Sequence, residues 1–342
     1  MKRLIVRAPG RLHFGLLGWG PNATRQFGGF GLMIESPNFI VSAEPADRDV
    51  IEASEERIDR LGSQLNSIRK RLRTLGGELP PCHFRFESDL PPHHGLGSGT
   101  QTSLAMAEIS LILSGCQKPS KEETIAAAGR YPRSGVGTHG YFSGGLIVDE
   151  GHPPGIPVPS EPARLLRRCA WPHAWHIVTV FPQESEGPSG SRESAAFEEL
   201  PPPSADAIRH VSSLIRDSFL PAIDTSEPDF ESAMSALEST QEIVGSWFAP
   251  AQGGHVYGSE QRDRRVAQLR ELGLRGLGQS SWGPTLFGFS CESESEIRSR
   301  LETAFGPSSI KGFNCGWLIS KAANQGRHLS ADPPQLNRSK PF

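Results

Sequence analysis

The sequence predicts an α+β protein built as two domains. Three observations carry that expectation: a length of 342 residues, which is more than one core usually fills; a β-rich start interrupted by Gly-rich loops; and strand-like segments alternating with amphipathic helical ones in the second half. With 36% hydrophobic and 21% charged residues the composition is that of an ordinary globular chain, while 37 Gly and 29 Pro promise many turns. Much of the chemistry should therefore sit on loops.

Taken in order, "RLIVRA" and "FIVSAEP" read as two short strands around the mobile, Gly-rich "GWGPNATRQFGGFGL". Leu61, Leu65, Ile68, Leu72 and Leu75 recur at spacings of three or four, one apolar stripe of a helix that Gly76-Gly77 would stop. The run Arg69-Lys70-Arg71 reads as the solvated face of that helix. In "CHFRFESDLP" polar residues alternate with Phe84 and Phe86, a strand pattern, and a helix over Thr102–Leu113 and a strand in "GGLIVDEG" follow. A further strand lies within "CAWPHAWHIVTVFP", where the second half begins. The Pro/Ser/Glu-rich stretch 182–206 is either a linker or an active-site loop. Helical patterns and a strand-helix-strand set, "TLFGFSC", "ESEIRSRLETAF" and "SSIKGFNCGWLIS", complete the second unit. The expected domains are thus 1–168 and 169–328, with 329–342 as a frayed tail.

A net charge of −3 offers no global attraction to nucleic acid or to an anionic membrane. Five scattered cysteines without CxxC spacing argue against a disulfide framework or a zinc knuckle and fit a reducing compartment. The apolar run before Arg7 is too short for a signal peptide, and no window approaches the roughly 18 apolar residues of a membrane span. A soluble, cytoplasmic protein is expected.

The segment "PPHHGLGSGTQ" (91–101) runs into the Thr102 helix. Glycines let backbone N–H groups turn inward, and a helix N-terminus adds unsatisfied donors and partial positive charge. Ser98 and Thr100 would cap that helix, meet a phosphate, or bind magnesium directly or through water. A Walker loop is excluded because no GK[ST] follows; a tight strand-to-helix turn stays open. Two further Gly/polar clusters point to a shared site: "GRYPRSGVGTHGYFSGG", with Arg130, Arg133, Ser134, Thr138 and His139, and "GLGQSSWGPTLFGF", with Gln279, Ser280, Ser281 and Trp282.

"PPHHGLGSGTQTSLA" resembles the phosphate-loop signature of the GHMP superfamily of galacto-, homoserine, mevalonate and phosphomevalonate kinases. The resemblance implies a ribosomal S5-like N-terminal domain and a ferredoxin-like α+β C-terminal domain. Two positions depart from the kinases: Gly137 stands where many carry an acceptor-side aspartate, and Gly99 where they usually have a second serine. "APGRLHFGLLG", "GLGSGTQ", "RSGVGTHGYFSGGLIVD", "QGGHVYG" and "GQSSWGPTLFGF", in this order, resemble instead the β-ribofuranosylaminobenzene 5'-phosphate synthase family, a non-kinase branch tied to tetrahydromethanopterin synthesis.

That resemblance implies a reaction joining phosphoribosyl pyrophosphate to 4-hydroxybenzoate or 4-aminobenzoate, with release of CO2 and pyrophosphate, and Mg2+ as cofactor. It implies that Gly95, Gly97, Ser98, Gly99, Thr100 and Gln101 hold the pyrophosphate. Arg11, His13 or Arg133 would meet the benzoate carboxylate, and Ser134, Thr138, Gln279, Ser280 and Ser281 would line the same site. His139, with Arg133, is the candidate for catalysis, and His93-His94 are candidates for acid, base or 5'-phosphate ligand; each histidine also has a purely structural reading. Trp282 is either a stacking partner for the benzoate or a core plug. A homodimer is one option for assembly. A small-molecule kinase on the same fold and a non-catalytic sugar-phosphate binder are the competing functions.

Overall fold

The computed structural model describes residues 3–88, 90–131, 134–156, 159–182, 196–308 and 316–332. The first half is a mixed sheet covered by four helices. Its strands are β1 (Arg3–Leu16), β2 (Gly29–Pro45), β3 (Val50–Glu52), β4 (Cys82–Ser88), β5 (Leu146–Asp149) and β6 (Leu165–Cys169); the helices are α1 (Glu55–Thr74), α2 (Ser98–Leu113), α3 (Lys121–Ala128) and α4 (Val136–Ser143). Long β2 is the spine of the sheet. It pairs antiparallel with β1 along its length, with β4 through Ile40–Pro45 and with β5 through Gly29–Leu32.

The Gly-rich segment expected to be a mobile loop is in part strand. β1 runs on through "GRLHF", and β2 already begins at Gly29. The reason is steric: a Cβ on Gly31 would overlap the Leu12 carbonyl, so glycine there lets the two strands close up instead of loosening them.

The second sheet has the order β10-β7-β9-β8, all antiparallel, from β7 (His176–Phe181), β8 (Arg275–Gln279), β9 (Leu286–Ser290) and β10 (Gly316–Ser320). With it go α5 (Ala205–Ser213), which passes through a π-helical turn at Leu214–Phe219 into α6 (Leu220–Ile223), then α7 (Phe230–Phe248), α8 (Glu260–Glu271) and α9 (Glu294–Phe305). Ser204, Asp229, Ser259 and Ser293 cap α5, α7, α8 and α9 through side-chain oxygens. The chain then returns: β11 (His328–Asp332) pairs antiparallel with β1 from Arg7 to Arg3. This corrects the tail expected from 329, because residues 329–332 complete the edge of the first sheet by satisfying the open hydrogen-bonding side of β1; the rest of that tail lies outside the described residues.

One core joins the halves. Phe14 of β1 lies 5.0 Å from Phe287 and 6.0 Å from Phe289 of β9, and Trp171 lies 5.0 Å from Phe289. All four rings are buried; each contributes on the order of 2–3 kcal/mol by leaving water. Helix α2 is apolar nearly all round and correspondingly buried on almost every side. Its one carboxylate, Glu108, is matched by Tyr141 of α4 at 2.6 Å and by a fork of bonds from Arg327 just before β11. The helix that carries the phosphate-loop motif is thereby fixed on two sides.

Candidate functional site

The motif between β4 and α2 forms a tight loop with three residues at positive φ: His93 (60°), Gly95 (78°) and Gly97 (77°). Gly95 is fixed by crowding as well, since a Cβ there would overlap the Ser280 carbonyl. Leu96, buried, plugs the loop onto β1, where the Arg11 amide donates to its carbonyl at 3.0 Å. The Arg11 guanidinium also reaches the Gly95 carbonyl at 3.3 Å. From Gly97 the backbone turns into α2, whose first residues, Ser98, Gly99 and Thr100, line a cleft.

That cleft has a volume of about 830 Å³ and lies between the two sheets. Of the residues expected to form the site, Arg11, His13, His93, Gly95, Gly97, Ser98, Gly99, Thr100, Arg130, Ser134, Thr138, Gln279, Ser281 and Trp282 line it. Three sequence-distant loops therefore do converge. Ser280 and Gln101 stand behind the surface: the Ser280 hydroxyl donates to the Gly95 carbonyl at 2.8 Å, and the Gln101 amide to the Gly137 carbonyl at 3.2 Å. Arg133 lies outside the described residues.

His139 is placed differently from its expected acid–base role. It is buried in α4, away from the cleft lining, with Nε2 2.6 Å from the Ala163 carbonyl and Nδ1 2.9 Å from Lys121 Nζ. Burial pushes its pKa down to about 4, and the Lys121 charge adds to that. A neutral ring with both nitrogens occupied has no position left for a substrate proton. His94, half-buried and absent from the cleft lining, has its Nδ1 2.8 Å from the Pro92 carbonyl. His13 does face the cleft, but burial and the neighbouring Arg11 hold it well below the ordinary histidine range. It is therefore a neutral hydrogen-bonding group rather than a cation for a carboxylate.

At the loop end the cleft is strongly basic. Arg60 of α1 and Arg130 after α3 flank Gly99, and Arg130 donates to the Thr100 hydroxyl. Burial and the adjacent Arg60 lower the Arg130 pKa to about 10, still far above neutrality. Among the described residues no carboxylate lines this cleft. Two guanidiniums, a helix N-terminus and inward-turned amides form a receptor for a polyanion. The same cleft is also lined by aromatic rings: Phe14, Phe27, Phe197, Phe248 and Trp282. The Trp282 ring is stacked on Phe197 (4.9 Å, 28°) with Phe248 at its edge (5.0 Å), so one face expected for a ligand is already covered by protein.

The donor set does not fit a magnesium ion held by the protein. Among the described residues no three His, Cys, Asp or Glu side chains converge, and the Thr100 hydroxyl points at a guanidinium, which puts positive charge where a metal would have to sit. Any magnesium here would be carried by the phosphate oxygens of the ligand.

Several residues of the site were not legible as such. Arg60 looks like one more solvated helix charge, and Phe197 is a lone aromatic at the end of the Pro/Ser/Glu-rich stretch; only the fold brings them to the cleft. Residues 183–195 of that stretch lie outside the described residues, but Phe197 packs against Trp19, Phe27, Phe248 and Trp282. Asp149 ends β5 directly behind Ser134, whose hydroxyl donates to it at 2.8 Å. The sole signal for it was the "VDEG" strand end.

Residues 64–141 match the family model described as the GHMP kinases N-terminal domain. Among solved structures, mevalonate diphosphate decarboxylase from Enterococcus faecalis superposes with a TM-score of 0.64 at 13% identity, covering 96% of this chain and 99% of its own. Homoserine kinase from Cytophaga hutchinsonii does so with a TM-score of 0.60 at 16% identity, covering 96% and 98%. These likenesses show the fold. In sequence the chain is 29% identical over 339 residues to the β-ribofuranosylphenol 5'-phosphate synthase of Methanothermobacter thermautotrophicus, covering 95% of this chain and 98% of the relative. It is 28% identical to the protein of that name from Archaeoglobus fulgidus, covering 94% and 98%. Over nearly its whole length the chain is thus similar in sequence to the β-ribofuranosylphenol 5'-phosphate synthases, on the fold of the GHMP kinases.

Proposed function

We propose that this chain is a decarboxylating phosphoribosyltransferase that joins phosphoribosyl pyrophosphate to 4-hydroxybenzoate, releases CO2 and pyrophosphate, and serves tetrahydromethanopterin synthesis. The observation that carries the reading is that basic and loop residues suited to a polyanion and a set of aromatic rings line one and the same cleft. Phosphoribosyl pyrophosphate needs the first, a benzoate the second. The name of the curated relatives, which specifies a phenol, favours the hydroxyl acid over the amine.

The diphosphate lies on the Gly95–Thr100 loop with Arg60 and Arg130 across from it. As the bond to the anomeric carbon breaks, negative charge grows on the leaving oxygens, and these fixed donors stabilise that growth without having to reorganise. Any magnesium would be held by the diphosphate oxygens, whose charge it would shield. The benzoate ring lies along the aromatic wall, its carboxylate-bearing carbon toward the sugar. Arg11, tied to the Gly95 carbonyl, is occupied chiefly in holding the loop.

Two features count against a kinase. Gly137 presents no side chain at the acceptor position, with Thr100 3.2 Å from where its Cβ would be, and no carboxylate among the described residues lines the cleft to orient an acceptor hydroxyl.

The test is to incubate the protein, in magnesium buffer, with phosphoribosyl pyrophosphate and carboxyl-labelled 4-hydroxybenzoate or 4-aminobenzoate, and to count labelled CO2 and pyrophosphate. Matched release, greater with the hydroxyl acid, is expected. No release with either acid from folded protein overturns the reading. ATP consumption would then favour the kinase, and sugar-phosphate binding without turnover the non-catalytic binder.

A further inference from the structure

We propose that Ser134 relays the phenolic proton of the aromatic co-substrate to Asp149. The inference rests on the transferase reading above and assigns the proton-handling groups of that same site.

The chemistry requires an acceptor. The ring carbon bearing the carboxylate bonds to the anomeric carbon while the C–O bond to pyrophosphate breaks and its electron pair leaves with pyrophosphate. The electron pair for the new bond is pushed from the para oxygen, which becomes a carbonyl and must shed its proton. The C–CO2 bond then breaks, its electron pair restores the aromatic ring and makes a phenolate, and the proton returns to it. The proton is thus borrowed and given back, and its holder must keep it between the two steps.

His139 has no free nitrogen, and no carboxylate among the described residues lines the cleft itself. Ser134 does line it. Its hydroxyl donates to Asp149 Oδ2 at 2.8 Å and accepts from the Val136 amide at 3.2 Å. One lone pair is left to accept from a ligand. A Cβ on Gly29 would overlap that hydroxyl and lie 2.8 Å from His13 Nε2, so glycine at this position keeps the hydroxyl uncovered. A substrate proton passes to Ser134 Oγ as the serine's own proton moves to Asp149.

Asp149 is built to receive it. Fully buried, it accepts from the Gly135 amide at 2.9 Å, the Gly151 amide at 3.0 Å and the Gly29 amide as well as from Ser134. Four donors hold the carboxylate in place, yet burial prevails and lifts its proton affinity to about 7. It can take a proton and release it again at neutral pH.

The test compares wild type with Ser134→Ala on 4-hydroxybenzoate and on its 3-fluoro and 3,5-difluoro derivatives, whose phenols are progressively more acidic and need the relay less. On 4-hydroxybenzoate the variant is expected to lose roughly 100-fold in kcat, and the loss should shrink toward unity along the series. Asp149→Asn, with its fold checked by urea unfolding, should follow the same trend; Ser134→Ala, which leaves the backbone donors to Asp149 intact, decides the matter if Asp149→Asn fails to fold. An equal loss on all three acids, or no loss on any, overturns the relay. Absence of CO2 release from wild type with 4-hydroxybenzoate instead sinks the transferase reading itself, so the two failures are distinguishable.

Discussion

The Ser280 hydroxyl donates to the Gly95 carbonyl at 2.8 Å and accepts from the His13 amide at 3.0 Å. One buried side chain from the end of the four-stranded sheet thereby pins the anion loop to β1. Ser280→Ala leaves a buried amide and a carbonyl short of a partner, at a cost of about 1–3 kcal/mol. It should raise KM for phosphoribosyl pyrophosphate more than it lowers kcat. Urea unfolding and initial rates at varied sugar diphosphate check both parts.

The glycines of the loop are not equivalent. Gly97 has φ +77°, and a Cβ there would meet the Arg11 side chain at 3.2 Å. Gly99 has ordinary helical geometry, and the nearest neighbour of its added Cβ would be the flexible end of Arg60 at 3.4 Å. Gly97→Ala should cost on the order of 1–3 kcal/mol through backbone strain and displace Arg11. Gly99→Ser should fold as wild type and keep turnover within about threefold of it, well inside 1.4 kcal/mol. Thermal melts together with CO2 release distinguish the two.

Arg60 and Arg130 are expected to act on binding. Either Arg→Ala change removes a charge-assisted bond to phosphate, worth about 1.5–3 kcal/mol, so KM for the sugar diphosphate should rise roughly 10- to 100-fold with a smaller change for the benzoate. Arg130→Lys should recover only part of this, since an ammonium cannot reach both Thr100 and a phosphate as a planar fork does. Separate KM determinations for the two substrates test the split.

His139 should make the fold sensitive to acid. Its folded pKa, near 4, lies below the unfolded value of 6.5, so the unfolded chain takes up a proton first as pH falls. The contribution is fully present above pH 6.5 and is lost progressively toward pH 4, amounting to about 2 kcal/mol by pH 5. Asp149, whose folded pKa of about 7 exceeds the unfolded 3.8, acts in the opposite sense, favouring the fold at low pH and losing that contribution as pH rises toward 7. His139→Gln keeps a donor for Ala163 and an acceptor for Lys121 but does not titrate. Urea unfolding at pH 7 and pH 5 should show wild type losing about 2 kcal/mol more than this variant.

Phe197 tests the aromatic wall. Its removal takes one stacked and three edge-on partners from Trp19, Phe27, Phe248 and Trp282, each pair being worth about 0.5–1.5 kcal/mol. Phe197→Ala should raise KM for 4-hydroxybenzoate about tenfold, near 1.4 kcal/mol, and leave KM for the sugar diphosphate nearly unchanged.

The α+β alternation, the stripe of Leu61, Leu65, Ile68 and Leu72 on α1, and the Gly-rich turn into α2 are legible along the chain because they are local: apolar period, capping residues and glycine positions need no distant partner. The sequence also named part of the cleft lining, the polar residues set among glycines at the end of a strand or start of a helix, but not its apolar share. Which of those residues reach the ligand depended on contacts that no local pattern encodes. His139 and Thr138 are neighbours on α4, yet the pitch of the helix sends one to the cleft and the other to Ala163 and Lys121. Arg60 and Arg130 become a pair only when α1 and α3 pack beside α2. Asp149 becomes a proton store only when β5 pairs with Gly29, bringing the Ser134 hydroxyl and three amides around a carboxylate sealed from water. Burial, which sets the charge on His13, His139 and Asp149, belongs to the packed molecule, and the tertiary structure alone decided it.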